Sequence, residues 1–122
     1  MSWWAWVAVA LLGGAGACAR FLLDGAIAVR AGRQFPFGTL AVNASGALVL
    51  GLLAGLALRG EAETLAGAAT LGSYTTFSTW MLETHRLTED GEVRRAALNA
   101  GVSLAVGVAA AALGRVIGWG HL

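Results

Sequence analysis

The chain has 122 residues, of which 57% are hydrophobic and 12% are charged, and its formal net charge is +1. With a mean hydropathy of +0.70, this composition is too apolar for an ordinary water-soluble domain and indicates a protein embedded in a lipid bilayer. The small net charge gives no indication of a nucleic-acid partner.

Four uncharged stretches divide the sequence, and each approaches the roughly 20 residues that an α-helix needs to cross the hydrocarbon core. They are residues 2–19, 35–58, 64–82 and 96–114. None shows the polar and apolar alternation of a membrane strand, so helices are favoured. We expect one all-α transmembrane domain over residues 1–122, with four transmembrane helices at about 3–23, 37–58, 63–84 and 95–118.

The first predicted helix begins with Trp3, Trp4 and Trp6, and tryptophan favours the membrane interface. A signal peptide is the alternative, but no basic residue precedes the apolar run, so we expect a retained helix. Near its end, Arg20 and Asp24 are one helical turn apart. They could form an interfacial ion pair, or Arg20 could lie in an aqueous vestibule and attract anions.

The second predicted helix starts beside Pro36, whose missing N–H has no consequence in a first turn. Asn43 lies within it, one turn from Thr39 and Gly46. A polar side chain inside a membrane span is costly unless it faces a partner or a watery cavity. The Asn43 amide can donate either to an anion or to a backbone carbonyl of a neighbouring helix, and the sequence leaves both alternatives open.

The third predicted helix contains the strongest local signal, the segment GSYTTFST at residues 72–79. It places six hydroxyl-bearing residues beside a glycine near mid-span. Hydroxyls that bond back to their own backbone would make this only a bent helix. The alternative is a break at Gly72, where freed carbonyls coordinate a cation while the hydroxyls and the positive edge of the Phe77 ring face an anion path. Glu83 follows and is interpreted as reaching the interface.

The fourth predicted helix carries one stripe of polar and small residues, which are Asn99, Ser103, Gly107, Ala111 and Gly114. The eight basic residues are all arginine and are unevenly placed. Five lie in the first and third loops, whereas only Arg59 and Arg115 mark the opposite side. The positive-inside rule would place the first and third loops in the cytoplasm. His85 and His121 fall outside the predicted spans and are expected to be solvated.

Three segments together resemble the Fluc/CrcB family of fluoride channels: GGAGACAR at 13–20, FGTLAVNASG at 37–46 and GSYTTFST at 72–79. The resemblance covers essentially the whole chain. It implies a channel of the bacterial inner membrane that exports fluoride passively, built as an antiparallel, dual-topology dimer with two pores. It also implies a central structural sodium ion held by the backbone carbonyls of Gly72 and Thr75.

The same resemblance implies which residues form the fluoride path. Those that would line or shape it are Asn43, Phe77, Ser78, Thr79 and Ser103. Arg20 would lie towards an aqueous vestibule. Two positions depart from the family pattern: Trp80 stands where a second phenylalanine is usual, and Asn99 where a tyrosine is common. The Trp80 ring could still present an edge to the path but would narrow the pore.

The sequence leaves alternatives to the homodimer and to the channel function. A homodimer is favoured, although the arginine asymmetry allows a heterodimer with a paralogue. A small multidrug-type exporter would share the four-helix size but needs an embedded carboxylate in the first helix, and residues 2–19 contain none. A purely structural subunit would not need the hydroxyl cluster. An enzyme is not expected, because no nucleophile, base and orienting group occur at related spacings.

Overall fold

The described chain is almost entirely helical. The structure is a computed structural model and describes residues 2–57 and 60–120. Its helices are α1 (Trp3–Ala31), α2 (Phe37–Gly55), α3 (Gly60–Glu63), a π-helix (Thr64–Leu71), α4 (Gly72–Tyr74), α5 (Phe77–Glu89) and α6 (Val93–Trp119). The all-α prediction is confirmed. Residue 58, Arg59 and His121, which entered the sequence argument, lie outside the described residues.

The third predicted helix is realised as several segments, which together we call the broken helix (60–89). It comprises α3, the π-helix, α4 and α5, with the irregular residues Thr75 and Thr76 between α4 and α5. The prediction of a helix interrupted near mid-span is confirmed. The other three predicted spans correspond to α1, α2 and α6.

The first helix continues past its predicted end at residue 23 and reaches Ala31. Arg20 and Asp24 do not stop it, because a charged residue has an ordinary helix propensity once the chain leaves hydrocarbon. Gly32 ends the helix with φ 77°, a left-handed conformation that glycine adopts without strain. Its N–H donates to the Ala28 carbonyl at 2.9 Å.

The distribution of apolar side chains suits a lipid environment. By length and composition, α1, α2 and α6 are each able to cross a membrane. Large apolar residues point outward, as shown by Leu11 and Phe21, whose side chains are 70% and 77% exposed. The buried hydrophobic residues of the described chain are small by comparison: Ala5, Val42, Ala69 and Ala96. Close backbone packing inside and apolar side chains outside is the pattern expected for helices that meet in lipid.

Helices α2 and α6 form the closest helix pair, and glycines permit their approach. A Cβ atom added at Gly51 would collide with the Ala111 carbonyl oxygen. One added at Gly114 would collide with the Leu48 carbonyl oxygen. The obstacles are backbone atoms that cannot rotate away, so these positions accept only glycine at this helix separation.

Gly114→Ala is therefore expected to lower the thermal stability of the detergent-solubilised protein, by about 1–3 kcal/mol for an overpacked contact. Gly101→Ala on the same helix is the matched control. Apart from its chain neighbours and the nearby backbone of α6 itself, no atom of the described chain lies within 4 Å of a Cβ built at Gly101. The control should be neutral or slightly stabilising, because alanine favours helix over glycine. Equal melting temperatures for the two variants, measured by loss of the monodisperse peak after heating, would contradict this packing argument.

Helix α1 packs against the other half of the chain through the π-helix. A Cβ atom at Gly16 would collide with the Thr70 carbonyl oxygen, so the two backbones are in direct contact. The Thr70 hydroxyl donates to the Leu65 carbonyl at 2.6 Å, five residues earlier, which matches the wider π spacing. The Gly16–Thr70 backbone contact thus holds the first half of the broken helix against α1, whereas α5 packs against α6 and α2.

Candidate functional site

The break in the third helix is held open by a side chain of another helix. Thr75 and Thr76 are extended, with φ/ψ of −77°/158° and −146°/116°. The Thr76 N–H donates to Asn43 Oδ1 at 2.7 Å, and Asn43 Nδ2 donates to the Thr76 carbonyl at 2.9 Å. The Asn43 amide thus pairs with the Thr76 backbone as a neighbouring strand would. We call these two hydrogen bonds the Asn43–Thr76 clamp.

The position predicted for the break was wrong. Gly72 is helical, with φ −61° and ψ −35°, and the chain departs from helix only at Thr75. The physical reason is the clamp, because the Thr76 N–H that would otherwise bond to the Gly72 carbonyl is taken by Asn43. Gly72 therefore contributes a carbonyl deprived of its helical donor, although its own backbone is regular.

The hydroxyls around the break divide into two groups. Thr75 follows the bent-helix interpretation, since its hydroxyl and its N–H both donate to the Leu71 carbonyl, at 3.0 and 2.9 Å. Thr76 instead caps α5, because its Oγ1 accepts from the Thr79 N–H at 3.2 Å. It also donates to Thr79 Oγ1 at 3.1 Å and lies 3.4 Å from Ser78 Oγ. A hydroxyl cluster thus surrounds the positive end of the α5 dipole.

The aromatic residues lie immediately beyond this cap. Phe77 is the first residue of α5, and its side chain is 70% exposed. Its ring meets the Trp80 ring edge to face, with centroids 5.7 Å apart and planes at 88°. The Trp80 indole Nε1 donates to the Asn99 carbonyl of α6 at 3.0 Å. Phe77 therefore presents its ring on an open surface while Trp80 is tied to the neighbouring helix.

The polar residues of α6 face this aromatic pair. Asn99 is completely buried and donates through Nδ2 to Thr84 Oγ1 at 2.8 Å. Ser103, one turn later, is also buried, and its Oγ donates to Asn99 Oδ1 at 3.4 Å. The predicted stripe thus turns its polar residues towards α5.

Two cavities lie on either side of Thr76. The first, which we call the vestibule cavity, has a volume of about 210 Å³ and contains Arg20, Asp24, Thr39 and Thr79 in its lining. The second, the aromatic cavity, has a volume of about 370 Å³. It brings together Asn43, Phe77, Trp80 and Ser103. Thr76 lines both cavities, so the clamped break forms the wall between them.

Arg20 lines the vestibule cavity without a carboxylate partner in the described part of the chain. Within residues 2–57 and 60–120, the ion pairs closer than 4 Å are His85 with Glu89 and Arg95 with Glu92. The alternative of a local Arg20–Asp24 ion pair is therefore wrong. Asp24 instead packs against α2, where a Cβ at Gly38 would collide with its carboxylate. Of the predicted path residues, Ser78 is the one outside both cavity linings, and it is exposed beside them.

Sequence reasoning missed the roles of three residues. Thr76 was only one hydroxyl among six, yet it caps α5 and separates the cavities. Thr84 was not singled out, although it accepts the Asn99 amide. Glu83 lines a further cavity of about 210 Å³ with Asp24, Arg33 and Arg86, and its buried Oε1 has no hydrogen-bond partner within the described chain. The signal for Glu83 was its place on the same helix face as Thr79.

A helical membrane domain whose third span is broken by polar residues, between a polar and an aromatic cavity, defines a class of protein. This class is the multi-pass channels and transporters, in which interrupted helices face the transported ion. The chain belongs to the family described as CrcB-like protein, Camphor Resistance (CrcB), whose model matches residues 7–115. It is a multi-pass membrane protein of a bacterial family.

Relatives of nearly equal length match most of the chain. A fluoride-specific ion channel FluC 2 of Mycolicibacterium paratuberculosis is 59% identical over 110 residues, covering 90% of each chain. A FluC 2 protein of Mycobacterium tuberculosis is 54% identical, covering 92% of this chain and 89% of the relative. A FluC 1 protein of Symbiobacterium thermophilum is 47% identical, covering 95% and 98%.

Proposed function

We infer that this chain is a fluoride-selective ion channel that lets fluoride leave the cell passively. The observation that carries the inference is the end-to-end similarity to proteins named fluoride-specific ion channels, 59% identical in one case over 90% of both chains. The geometry of the break supports it, since hydroxyls, an amide and aromatic edges converge there. The cell membrane, the inner membrane in bacteria with two, is the corresponding location.

The proposed path runs along the broken helix from the vestibule cavity to the aromatic cavity. Arg20 attracts the anion into the vestibule, where the Thr79 hydroxyl begins to replace its water. The path then passes the wall at Thr76 and the exposed ring of Phe77, with Ser78 beside it. Trp80 and Ser103 line the far cavity, and Asn43 shapes it through the clamp. Close, fixed donors favour a small anion over a larger one.

The same break supports the proposed sodium site. The Gly72 carbonyl has lost its helical donor to Asn43, and Thr75 adopts an extended backbone that turns its carbonyl out of the helix. Gly72 is exposed and Thr75 is partly exposed, so both lie within reach of a neighbouring copy. Carbonyl oxygens are ligands suited to a hard cation. A sodium ion bound there would supply positive charge that joins the two breaks of a dimer.

A second copy inserted in the opposite orientation is the proposed partner. The largest exposed apolar faces suit lipid, but the small residues Ala15 and Ala19 are exposed on α1 beside Tyr74, the last helical residue before the break. A twofold axis in the membrane plane would bring two such surfaces, and two sets of Gly72 and Thr75 carbonyls, together. A heterodimer with a paralogue is the alternative, favoured by the uneven arginines.

The test is anion flux from liposomes that contain only this purified chain. Fluoride efflux should be fast, selective over chloride and independent of a proton gradient. A small multidrug-type exporter would instead need a proton gradient and an organic cation, and a structural subunit would carry no flux. Absence of fluoride efflux from a correctly folded, reconstituted preparation would overturn the proposal for this chain alone.

Dual insertion is expected to label a single cysteine from both faces of the membrane. The natural Cys18 is exposed, so it is first replaced by alanine, and a cysteine is then introduced as Gly120→Cys after α6. In intact cells, an impermeant thiol reagent should reach about half of the molecules, and the remainder should react only after permeabilisation. Labelling confined to one face, together with no flux by the chain alone, would replace the homodimer with a heterodimer.

A further inference from the structure

Helix α5 is joined to α6 by a hydrogen-bond network centred on Asn99. The network involves both the backbone and the side chain of this fully buried residue. The Asn99 carbonyl accepts from the Trp80 indole at 3.0 Å, and Asn99 Nδ2 donates to Thr84 Oγ1 at 2.8 Å. The Thr84 hydroxyl in turn donates a hydrogen bond to the Trp80 carbonyl at 2.9 Å. Asn99 Nδ2 also lies 3.4 Å from the Trp80 carbonyl, so Trp80 is held at its ring and, both directly and through Thr84, at its backbone.

These bonds fix the rotation of α5 about its own axis. Trp80 and Thr84 are one turn apart on the same face, and both meet the same residue of α6. If α5 turned, the buried Asn99 amide would lose its two acceptors on α5, the Thr84 hydroxyl and the Trp80 carbonyl, and the indole N–H would lose the Asn99 carbonyl in apolar surroundings. A buried polar group left without a partner is unfavourable, so the two contacts reinforce each other.

The orientation of Phe77 depends on that of Trp80. Phe77 is 70% exposed, so few protein atoms restrain its ring. Its aromatic neighbour is Trp80, against which it packs edge to face at 5.7 Å. An aromatic ring interacts with an anion through its positive edge and repels it with its face, so ring orientation decides what the anion meets.

We propose that Asn99 and Thr84 are positioning residues for anion selectivity, acting through Trp80 on the ring of Phe77. The inference rests on the proposed function, because it assumes that Phe77 faces the fluoride path. A ring held in one orientation offers its edge at one distance, which suits a small anion. A ring free to turn can adapt to a larger anion, so loosening the network admits chloride before it blocks fluoride.

The test compares two substitutions of the same kind on α5. Thr84→Val and Thr88→Val each replace a hydroxyl that donates to the carbonyl four residues earlier, at 2.9 and 3.0 Å. Only the Thr84 hydroxyl also accepts from Asn99. In liposome flux, Thr84→Val should lower the fluoride-to-chloride selectivity about tenfold, the size of effect expected for one lost hydrogen bond to a buried amide. Thr88→Val should retain the wild-type ratio.

A spectroscopic measurement tests whether the network positions the Trp80 ring or only links α5 to α6. With Trp3, Trp4, Trp6 and Trp119 replaced by phenylalanine, the emission reports Trp80 alone. Thr84→Val, and Asn99→Leu where it folds, should shift this emission and increase its quenching by acrylamide, and Thr88→Val should not. Equal selectivity for the two threonine variants, or lost flux with unchanged selectivity, would overturn the proposal.

The proposed function is tested separately, by the flux of the wild-type chain. If the wild-type chain shows no selective fluoride flux, then the channel assignment is at fault. If the wild-type chain is selective and Thr84→Val matches Thr88→Val, then only the positioning role is rejected.

Discussion

Phe77→Ile is expected to abolish selective fluoride flux while leaving the protein folded. Isoleucine keeps apolar bulk but has no aromatic edge with which to meet an anion. Since the Phe77 side chain is 70% exposed, its replacement removes little packing within the described chain. We expect efflux to fall at least about a hundredfold, which corresponds to roughly 2.7 kcal/mol in the barrier. The measurement is fluoride efflux from liposomes, with a monodisperse elution profile as evidence of folding.

Phe37→Ile is the matched control for that experiment. Phe37 also takes part in an aromatic pair, with Phe35 at 4.9 Å, and it also stands at the first residue of a helix. Its pair lies at the start of α2, away from the break. The same substitution there should preserve most of the flux. Wild-type efflux from folded Phe77→Ile, or an equal loss in both variants, would remove Phe77 from the path.

The four-helix plan could be predicted because bilayer thickness constrains it locally. A run of about 20 uncharged residues has few options in lipid, and each run read from the sequence corresponds to a helix or to the broken helix. Helix ends were harder to predict. Hydropathy detects where hydrocarbon ends, whereas α1 ends at Ala31, because the backbone takes a positive φ at Gly32. The predicted end at residue 23 and the actual end at Ala31 are separated by about two further helical turns that contain charged residues.

The break was predicted from its composition but not at its actual residue. Glycine was expected to interrupt the helix, yet Gly72 is helical and Thr76 is the clamped residue. The interruption is imposed by Asn43, which is 33 positions away in sequence. Local propensity cannot reveal such a partner, because the Asn43 amide comes from another helix and satisfies both backbone polar groups of Thr76 in place of helical hydrogen bonds.

The two departures from the family pattern could not be related to each other from sequence. The sequence identified Trp80 and Asn99 as two departures from the family pattern but gave no sign of a contact between them. In the structure they are hydrogen-bonded to each other: the Trp80 indole N–H, which phenylalanine lacks, donates to the backbone carbonyl of Asn99, and the Asn99 side chain donates to the Trp80 carbonyl at 3.4 Å. The two residues are 19 positions apart and lie on different helices, so no helical periodicity relates them. Only the packing of α5 on α6 brings these two residues together.

Asn43→Leu is expected to have the second large effect, because it removes both bonds of the Asn43–Thr76 clamp. Leucine has a similar volume but neither donates nor accepts. Thr76 is only 7% exposed, so its N–H and carbonyl would be left buried without partners. Each unsatisfied group costs about 1–3 kcal/mol. The segment should relax towards continuous helix, in which the Thr76 N–H returns to the Gly72 carbonyl. That change would rotate α5 relative to α4 and displace the cap, the aromatic ring and the wall between the cavities together.

Ser45→Ala, two residues further along α2, distinguishes loss of the clamp from general weakening of α2. Ser45 Oγ is 2.8 Å from the Tyr74 hydroxyl, so this variant also removes a hydrogen bond between α2 and the broken helix. It does not touch the break itself. We expect Asn43→Leu to lose fluoride flux and to lower the melting temperature in detergent, and Ser45→Ala to lower the melting temperature slightly while conducting. Thr76 can cap α5 only while the helix is interrupted before it. Selective flux in Asn43→Leu would therefore show that the break persists without its clamp, and would contradict this prediction.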